Sequence, residues 1–211
     1  MKIKVLLLFL FCSVGCVFSQ NKAKDILDKV SATYSNEVGF VLDFTLNTRD
    51  TKSKTTYSHD GKAYIKGDKF KIEVPDGTTW FDGKTQWVYM NGSDEVNVSN
   101  PSGEELAAIS PVALLGLYKT GFKLSEKGQK NENGKTVYVI EMTPNKKGSD
   151  FSKIVLMIDK NTNYFTSILL EGKDKVNNHL IIKKHDKKAN LTDSTFVFNK
   201  KDYPNVEVID L

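Results

Sequence analysis

Apolar and polar residues alternate along most of the chain with a period of two, the pattern of β-strands that bury one face. The alternation is clearest between residues 40 and 47, where Phe40, Leu42, Phe44 and Leu46 share a face. Short connections rich in Gly, Asn and Asp favour antiparallel neighbours, so the pattern predicts a meander of about 11 strands. The predicted strands are 40–47, 55–66, 69–74, 78–81, 85–90, 95–98, 122–127, 135–143, 151–159, 164–171 and 175–184, with shorter candidates at 196–198 and 206–209.

A helix is predicted before the first strand, over residues 21–34. Its apolar residues recur at three- and four-residue spacing, which places them on one helical face. That face consists of Ala23, Ile26, Leu27, Val30 and Tyr34. The helix is therefore expected to pack across the mouth or the back of the sheet.

The strand pattern is interrupted between residues 101 and 118 by two short apolar helices. Ser102 is a candidate N-cap for the first helix, with Glu105 completing a capping box. Ser110 is the candidate cap of the second helix, with Pro111 at its first position. Residues 112–118 show no polar face, so this helix must be covered, yet it is far shorter than the roughly 20 residues of a membrane span. The segment is interpreted as a lid over a large β surface.

About 11 strands curled around one space enclose more volume than side chains fill, because barrel diameter grows with strand number. Two flattened layers in a sandwich are the alternative, and the aromatic cluster of Trp80, Phe81, Trp87 and Tyr89 is equally consistent with ordinary cross-strand packing. The apolar lid favours an incompletely closed antiparallel barrel with a hydrophobic cavity. The predicted ligand-binding residues of cavity and lid are Phe40, Leu42, Phe44, Leu46, Tyr64, Phe70, Ile72, Trp80, Trp87, Tyr89, Leu106, Ile109, Leu114, Leu115, Tyr118 and Met142.

The first 19 residues have the features of a signal peptide, with Lys2 and Lys4 before an apolar run and a cleavage site near Ser19 and Gln20. Cleavage there removes Cys12 and Cys16, the only cysteines, so no disulfide or cysteine nucleophile remains. The residues before Cys16 also resemble a lipoprotein processing site, which leaves lipidation of Cys16 open. Residues 20–211 are expected to form a single domain.

Composition and motifs argue against several classes of function. Loss of Lys2 and Lys4 lowers the basic residues from 30 to 28 against 26 acidic residues, so no nucleic-acid partner is expected. His59, His179 and His185 lie on polar strand-like segments and are interpreted as solvated surface residues, not as metal ligands or bases. No nucleophile elbow or phosphate-binding loop is recognisable. The protein is therefore expected not to be an enzyme and to need neither metal nor cofactor.

Several short motifs, in order, resemble the LolA family of periplasmic outer-membrane lipoprotein carriers. They are Lys29-Val30, Phe44-Thr45, residues 61–66 (GKAYIK), Lys69-Phe70, residues 82–89 (DGKTQWVY) and Ser110-Pro111. The resemblance implies an unclosed barrel that takes up lipoprotein acyl chains from an inner-membrane releasing transporter. It further implies a monomer that passes them across the periplasm to an outer-membrane acceptor. A lipid- or lipoprotein-sensing regulatory protein on the same scaffold is the alternative.

The resemblance also suggests roles for individual residues. It places Phe70 near the cavity entrance and Leu115 on the cavity side of the lid. The arginine that latches the lid in better-known members corresponds here to Gly67. Lys66 or Lys69 is the candidate replacement, without the guanidinium fork.

Overall fold

The computed structural model describes residues 14–35, 39–101, 103–187 and 190–211, with side chains described from residue 21 onward. Most of the predicted signal peptide, the candidate N-cap Ser102 and the first residues after the N-terminal helix lie outside these ranges. Among the residues described, no helix is long and apolar enough to cross a membrane.

In the described part of the chain, twelve strands form one sheet. Their bounds are β1 Phe40–Asp50, β2 Thr55–Lys66, β3 Lys69–Val74, β4 Gly77–Phe81, β5 Gln86–Met90, β6 Glu95–Ser99, β7 Phe122–Glu132, β8 Lys135–Pro144, β9 Phe151–Asp159, β10 Phe165–Gly172, β11 Val176–Asp186 and β12 Glu207–Asp210. The spatial order is β12-β6-β5-β4-β3-β2-β1-β11-β10-β9-β8-β7, with β12 and β7 at the two edges. The predicted open antiparallel sheet is confirmed, although β12 pairs with β6 in parallel.

One predicted strand is wrong. Residues 196–198 were expected to be a strand, but the chain forms a short 3₁₀-helix over Asp193–Phe196. Phe196 and Phe198 are both buried and Val197 between them is exposed. The sequence pattern of this segment is the same as that of a strand. Two buried aromatic residues separated by an exposed residue have a period of two whether or not a partner strand exists.

Helix α1, Val14–Ser35, carries the predicted apolar face. Ala23, Leu27 and Val30 have no exposed surface, and Tyr34 is 2% exposed. The helix packs along the edge strand β7, where Lys22 and Glu126 form an ion pair of 3.1 Å. It therefore covers one part of the inner face of the sheet.

The lid consists of α2, Gly103–Ile109, and α3, Leu114–Leu117. The second helix is shorter than predicted, and Ser110 does not cap it. The N–H of Ser110 instead donates to the carbonyl of Leu106 at the end of α2 (2.8 Å). Tight turns follow, with Leu115 N–H bonded to the Val112 carbonyl at 2.9 Å, and Ala113 precedes α3 without a side-chain cap.

The two faces of the sheet carry separate apolar clusters. The large cluster on the inner face joins α1, the lid and strands on both sides of β1. The small cluster comprises Trp80, Val96, Phe198 and Val206, with Trp87, Tyr89 and Tyr203 packed against it. It lies beneath the C-terminal segment, on the outer face of β4 to β6.

Candidate functional site

An apolar cavity of about 190 Å³ lies between the lid and the inner face of β1, β2, β3, β10 and β11. Six predicted binding residues line it: Leu42, Phe44, Leu46, Ile72, Ile109 and Leu114. Further apolar lining comes from Ala63, Val74, Ala107, Ala108, Pro111, Ile168, Leu170 and Leu180. Ser110 and Asn178 are the polar residues among the described lining. A site of this composition suits an apolar ligand, since it offers almost no hydrogen bonds.

A second, more open pocket of about 600 Å³ lies on the other side of the lid. Three predicted residues, Phe70, Leu106 and Leu115, line this pocket and not the apolar cavity. The ring of Phe70 is 1% exposed and stacks on Phe81 with a centroid distance of 5.1 Å. Phe70 is thus a core residue in this closed state, and its surface becomes available only if the lid moves.

Three other predicted residues lie in solid core. Phe40 and Met142 are 1% and 0% exposed, and Phe40 packs on Tyr34 at 5.1 Å between ring centroids. Tyr118 is buried at the end of the lid, where its hydroxyl donates to Asp28 on α1. These residues belong to the inner apolar cluster and do not line the cavity.

The placement of Tyr64, Trp80, Trp87 and Tyr89 in the cavity was wrong, because all four lie on the outer face of the sheet. Successive side chains of a strand point to opposite faces. Since Phe81 packs in the inner cluster, Trp80 must point outward, and its cross-strand partner Trp87 shares that face. The sequence shows the alternation but not which phase faces the lid.

Two carboxylates attach the lid to neighbouring parts of the fold. Glu104 Oε2 on α2 accepts from Ser149 Oγ (2.7 Å) and from the backbone N–H of Asp150 (3.0 Å), both before β9. At the other end, Asp28 accepts from the Tyr118 hydroxyl at 2.6 Å and from the Lys24 ammonium at 2.6 Å. The Lys24 and Tyr118 hydrogen bonds hold the pKa of Asp28 below its usual value, and burial with the Asp28 contact raises the pKa of Tyr118 to about 12.

Lys66 and Lys69 do not replace the family's latching arginine. Lys66 Nζ donates to the carbonyl of Leu191 (3.0 Å), and both lysines pair with Asp193. They fasten the C-terminal segment to the end of β2 and the start of β3. The lid is instead fastened by the contacts of Glu104 and Asp28, which the sequence analysis did not identify.

Gly61 is a cavity determinant that the sequence analysis missed. It lies directly opposite Phe44 on β1. A Cβ atom at this position would lie 2.4 Å from the end of the Phe44 ring and 2.9 Å from the Glu73 carbonyl. The absent side chain therefore lets the Phe44 ring lie back over β2 instead of filling the cavity. A glycine within a strand was the available signal.

His185 is not the solvated surface residue that was expected. Its ring lies 4.5 Å from Tyr164, and its Nε2 lies 3.3 Å from the Tyr34 hydroxyl, which accepts from the Phe165 N–H. Burial, helped by Lys135 and Lys187, lowers the pKa of His185 to about 4. A neutral imidazole can accept the buried Tyr34 proton. Among the described residues, no cluster of three His, Cys, Asp or Glu side chains could hold a metal ion.

Comparison with known proteins matches residues 16–173 to the family model described as outer membrane lipoprotein carrier protein LolA. No curated protein matches the sequence significantly. The fold is similar to that of an uncharacterized conserved protein from Thermus thermophilus, at 16% identity and a TM-score of 0.62 over 90% of this chain and 99% of the other.

Two further crystal structures share the fold. A DUF1329 family protein from Desulfovibrio piger is 14% identical, with a TM-score of 0.51 over 85% of this chain and 97% of the other. A putative outer membrane lipoprotein-sorting protein domain from Vibrio parahaemolyticus is 12% identical, with a TM-score of 0.51 over 86% and 98%. At these identities the likeness concerns the fold.

Proposed function

The chain belongs to the family of outer membrane lipoprotein carrier proteins LolA, and on that premise we propose that it is a non-enzymatic periplasmic carrier of lipoprotein acyl chains. In this proposal it takes its cargo from an inner-membrane releasing transporter and delivers it to an outer-membrane acceptor. The signal-peptide features of residues 1–19 agree with export. The observation that carries the proposal is the apolar cavity enclosed beneath the lid.

The lining of the cavity supports an acyl ligand. Apolar side chains form nearly all of it, and no charged side chain is among the described lining residues. Burial of each methylene contributes about 0.8 kcal/mol, so a chain with many methylenes gains affinity without polar contacts. A ligand recognised by hydrogen bonds or charge would find few partners here.

The size of the cavity requires the lid to move. At about 190 Å³ it is smaller than typical ligand pockets of roughly 300–1,000 Å³, and comparable to the roughly 150 Å³ cavity that admits benzene. The closed state therefore has room for only part of one long acyl chain. Loading requires displacement of α2 and α3, which would join the cavity with the pocket beside Phe70 and Leu115.

Uptake of an acylated protein from inner-membrane vesicles tests the proposal. Wild-type protein is expected to release a radiolabelled lipoprotein into a soluble complex with itself. Ala107→Leu adds bulk to a buried lid residue that lines the cavity, and is expected to reduce the yield severalfold. The matched control is Ala32→Leu on the exposed side of α1, which should behave like wild type.

Two results would contradict the carrier role. One is a folded wild-type protein that releases no lipoprotein, and the other is equal release by wild type and Ala107→Leu. Native mass spectrometry of protein purified from its own envelope adds a second readout. A carrier should retain many different acylated proteins, whereas one dominant protein partner would indicate a sensor.

A further inference from the structure

At one end the apolar cavity adjoins a pocket of mixed lining with a polar outer rim, called the polar pocket below. This pocket, of about 390 Å³, shares Ala108, Leu170 and Asn178 with the cavity. Its outer rim includes Lys173 and Asp174, both exposed, in the turn between β10 and β11. Among the described residues, none lines both the apolar cavity and the larger pocket beside Phe70. In the closed state the end of the cavity on the β10–β11 side is therefore the one nearest to solvent.

The inner face becomes polar toward this same end. On β1 the inward positions run from Phe44 through Leu46 to Thr48, and on β11 the residue after Leu180 on this face is Asn178. Thr48 and Asn178 are direct cross-strand partners, as are Leu46 and Leu180. On both neighbouring strands, leucine side chains thus give way to an amide or hydroxyl side chain at the same position along the strand. An amphiphile placed along these strands would match the gradient with its polar end at Asn178.

The Asn178 side chain is held in place through its amide oxygen, which leaves its amide nitrogen free to donate to a ligand. Its Oδ1 accepts a hydrogen bond from Thr48 Oγ1 at 2.7 Å. Its Nδ2 makes no hydrogen bond within the part of the chain that the structure describes, although the residue is half-buried. An amide NH₂ group offers two donors. They are therefore available, at the junction of the apolar and polar spaces, to an acceptor oxygen of a ligand.

The lid is fastened at this same opening. Ser149 and Asp150, which bind the Glu104 carboxylate, also line the polar pocket. A group leaving the cavity past Asn178 would pass directly beneath this attachment. The opening of the cavity and the attachment of α2 thus share the residues Ser149 and Asp150.

We propose that Asn178 recognises the polar end of the acyl ligand. Its Nδ2 donates a hydrogen bond to the carbonyl oxygen of an ester, amide or carboxyl group, and the hydrocarbon chain lies in the cavity. The assignment rests on the proposed carrier function and adds to it a subsite and a direction. The head group lies on the β10–β11 side, away from Phe70. The ligand class is therefore a single acyl chain with a carbonyl at its head, not a pure hydrocarbon.

A matched pair of probes tests the subsite. Methyl laurate and tetradecane have similar lengths, but only the ester has a carbonyl. Each is titrated against wild type, Asn178→Leu and the nearly isosteric Asn178→Asp by displacement of a fluorescent apolar probe. Loss of one hydrogen bond should weaken binding of the ester roughly three- to tenfold and leave the alkane unchanged. Asn177→Leu, the neighbour on the outer face, is the control and should bind both probes like wild type.

The outcomes separate the two proposals. Wild type that binds neither probe would overturn the carrier function together with the subsite. Wild type that binds both, with ester affinity unchanged in Asn178→Leu and Asn178→Asp, would overturn the subsite alone. Selective loss of ester binding in either folded variant supports it. Equal loss of ester and alkane binding by both variants would also reject it, because it would show that the residue shapes the cavity and does not recognise the carbonyl.

Discussion

The inner face of one sheet is covered in two different ways. On the α1 side one long helix packs on the sheet, and Ala23, Leu27 and Val30 of this helix leave no surface exposed. On the lid side, helices of 7 and 4 residues cover the same sheet and leave a cavity of about 190 Å³. Long helices gain stability from continuous packing, whereas very short ones depend on contacts at their ends. The comparison agrees with the proposal that one side maintains the fold and the other accommodates a ligand.

The largest expected effect distinguishes the two sides by stability. Leu27→Ala removes a fully buried side chain from the α1 side and should lower the free energy of unfolding by about 2–5 kcal/mol. Leu114→Ala, in the lid beside the cavity, should cost less than half as much, because its side chain already lacks neighbours on one side. Urea denaturation of both variants provides the measurement. A larger loss for Leu114→Ala would contradict the division of roles.

The second prediction uses pH on the α1 side. In the folded protein the pKa of His185 is about 4, below the usual value of 6.5, so the unfolded chain binds the proton more readily. Stability is therefore unaffected above about pH 6.5 and falls as the pH drops toward 4, by about 2–3 kcal/mol in all. The physical cause is the burial of the imidazole close to Lys135 and Lys187, which disfavours its protonated form.

His185→Gln keeps an acceptor near Tyr34 but does not titrate. Its stability should change less than that of wild type between pH 7 and pH 4, as measured by chemical denaturation at each pH. His59→Gln, at a ring that is 35% exposed, is the control and should retain the wild-type pH dependence. Identical pH profiles for wild type and His185→Gln would show that this contact does not set acid stability.

The third prediction concerns the wall of the cavity. Gly61→Ala would force the Phe44 ring and the Glu73 backbone to shift, at a cost of about 1–3 kcal/mol. Because Phe44 lines the cavity, a shift of its ring away from β2 would take up cavity space, so acyl-ester affinity should fall as well. Gly116→Ala, in the lid and without neighbours around its Cβ position, is the matched control. Unchanged ligand affinity in Gly61→Ala would show that Phe44 does not limit the space.

The smallest expected effect is on the attachment of the lid to α1. Tyr118→Phe removes the hydrogen bond to Asp28, whose side chain is 41% exposed, so the loss should be about 1 kcal/mol. Amide hydrogen exchange should accelerate in residues 103–118 and remain unchanged in α1 beyond Asp28. Faster exchange throughout α1 would indicate that the lid and the helix unfold as one unit.

Sequence reasoning predicted the sheet because alternation reports directly on strands with one buried face. It also located the lid and six lining residues, from Leu42 to Leu114. It misplaced Trp80, Trp87 and Tyr89, because alternation does not reveal which face of a strand meets the lid. The C-terminal segment covers these three rings on the opposite face of the sheet. The Glu104 attachment and the polar junction at Asn178 could not be predicted, because both depend on residues far apart in sequence that only the folded sheet brings together.

The most direct test of the central claim is photocrosslinking with an acyl chain that carries a diazirine at its methyl end. The account predicts adducts on the cavity side and away from Asn178, within residues 42–46 and 109–114, and fewer adducts in Ala107→Leu. Adducts confined to α1 or to the aromatic cluster around Trp80, with none in those ranges, would contradict it.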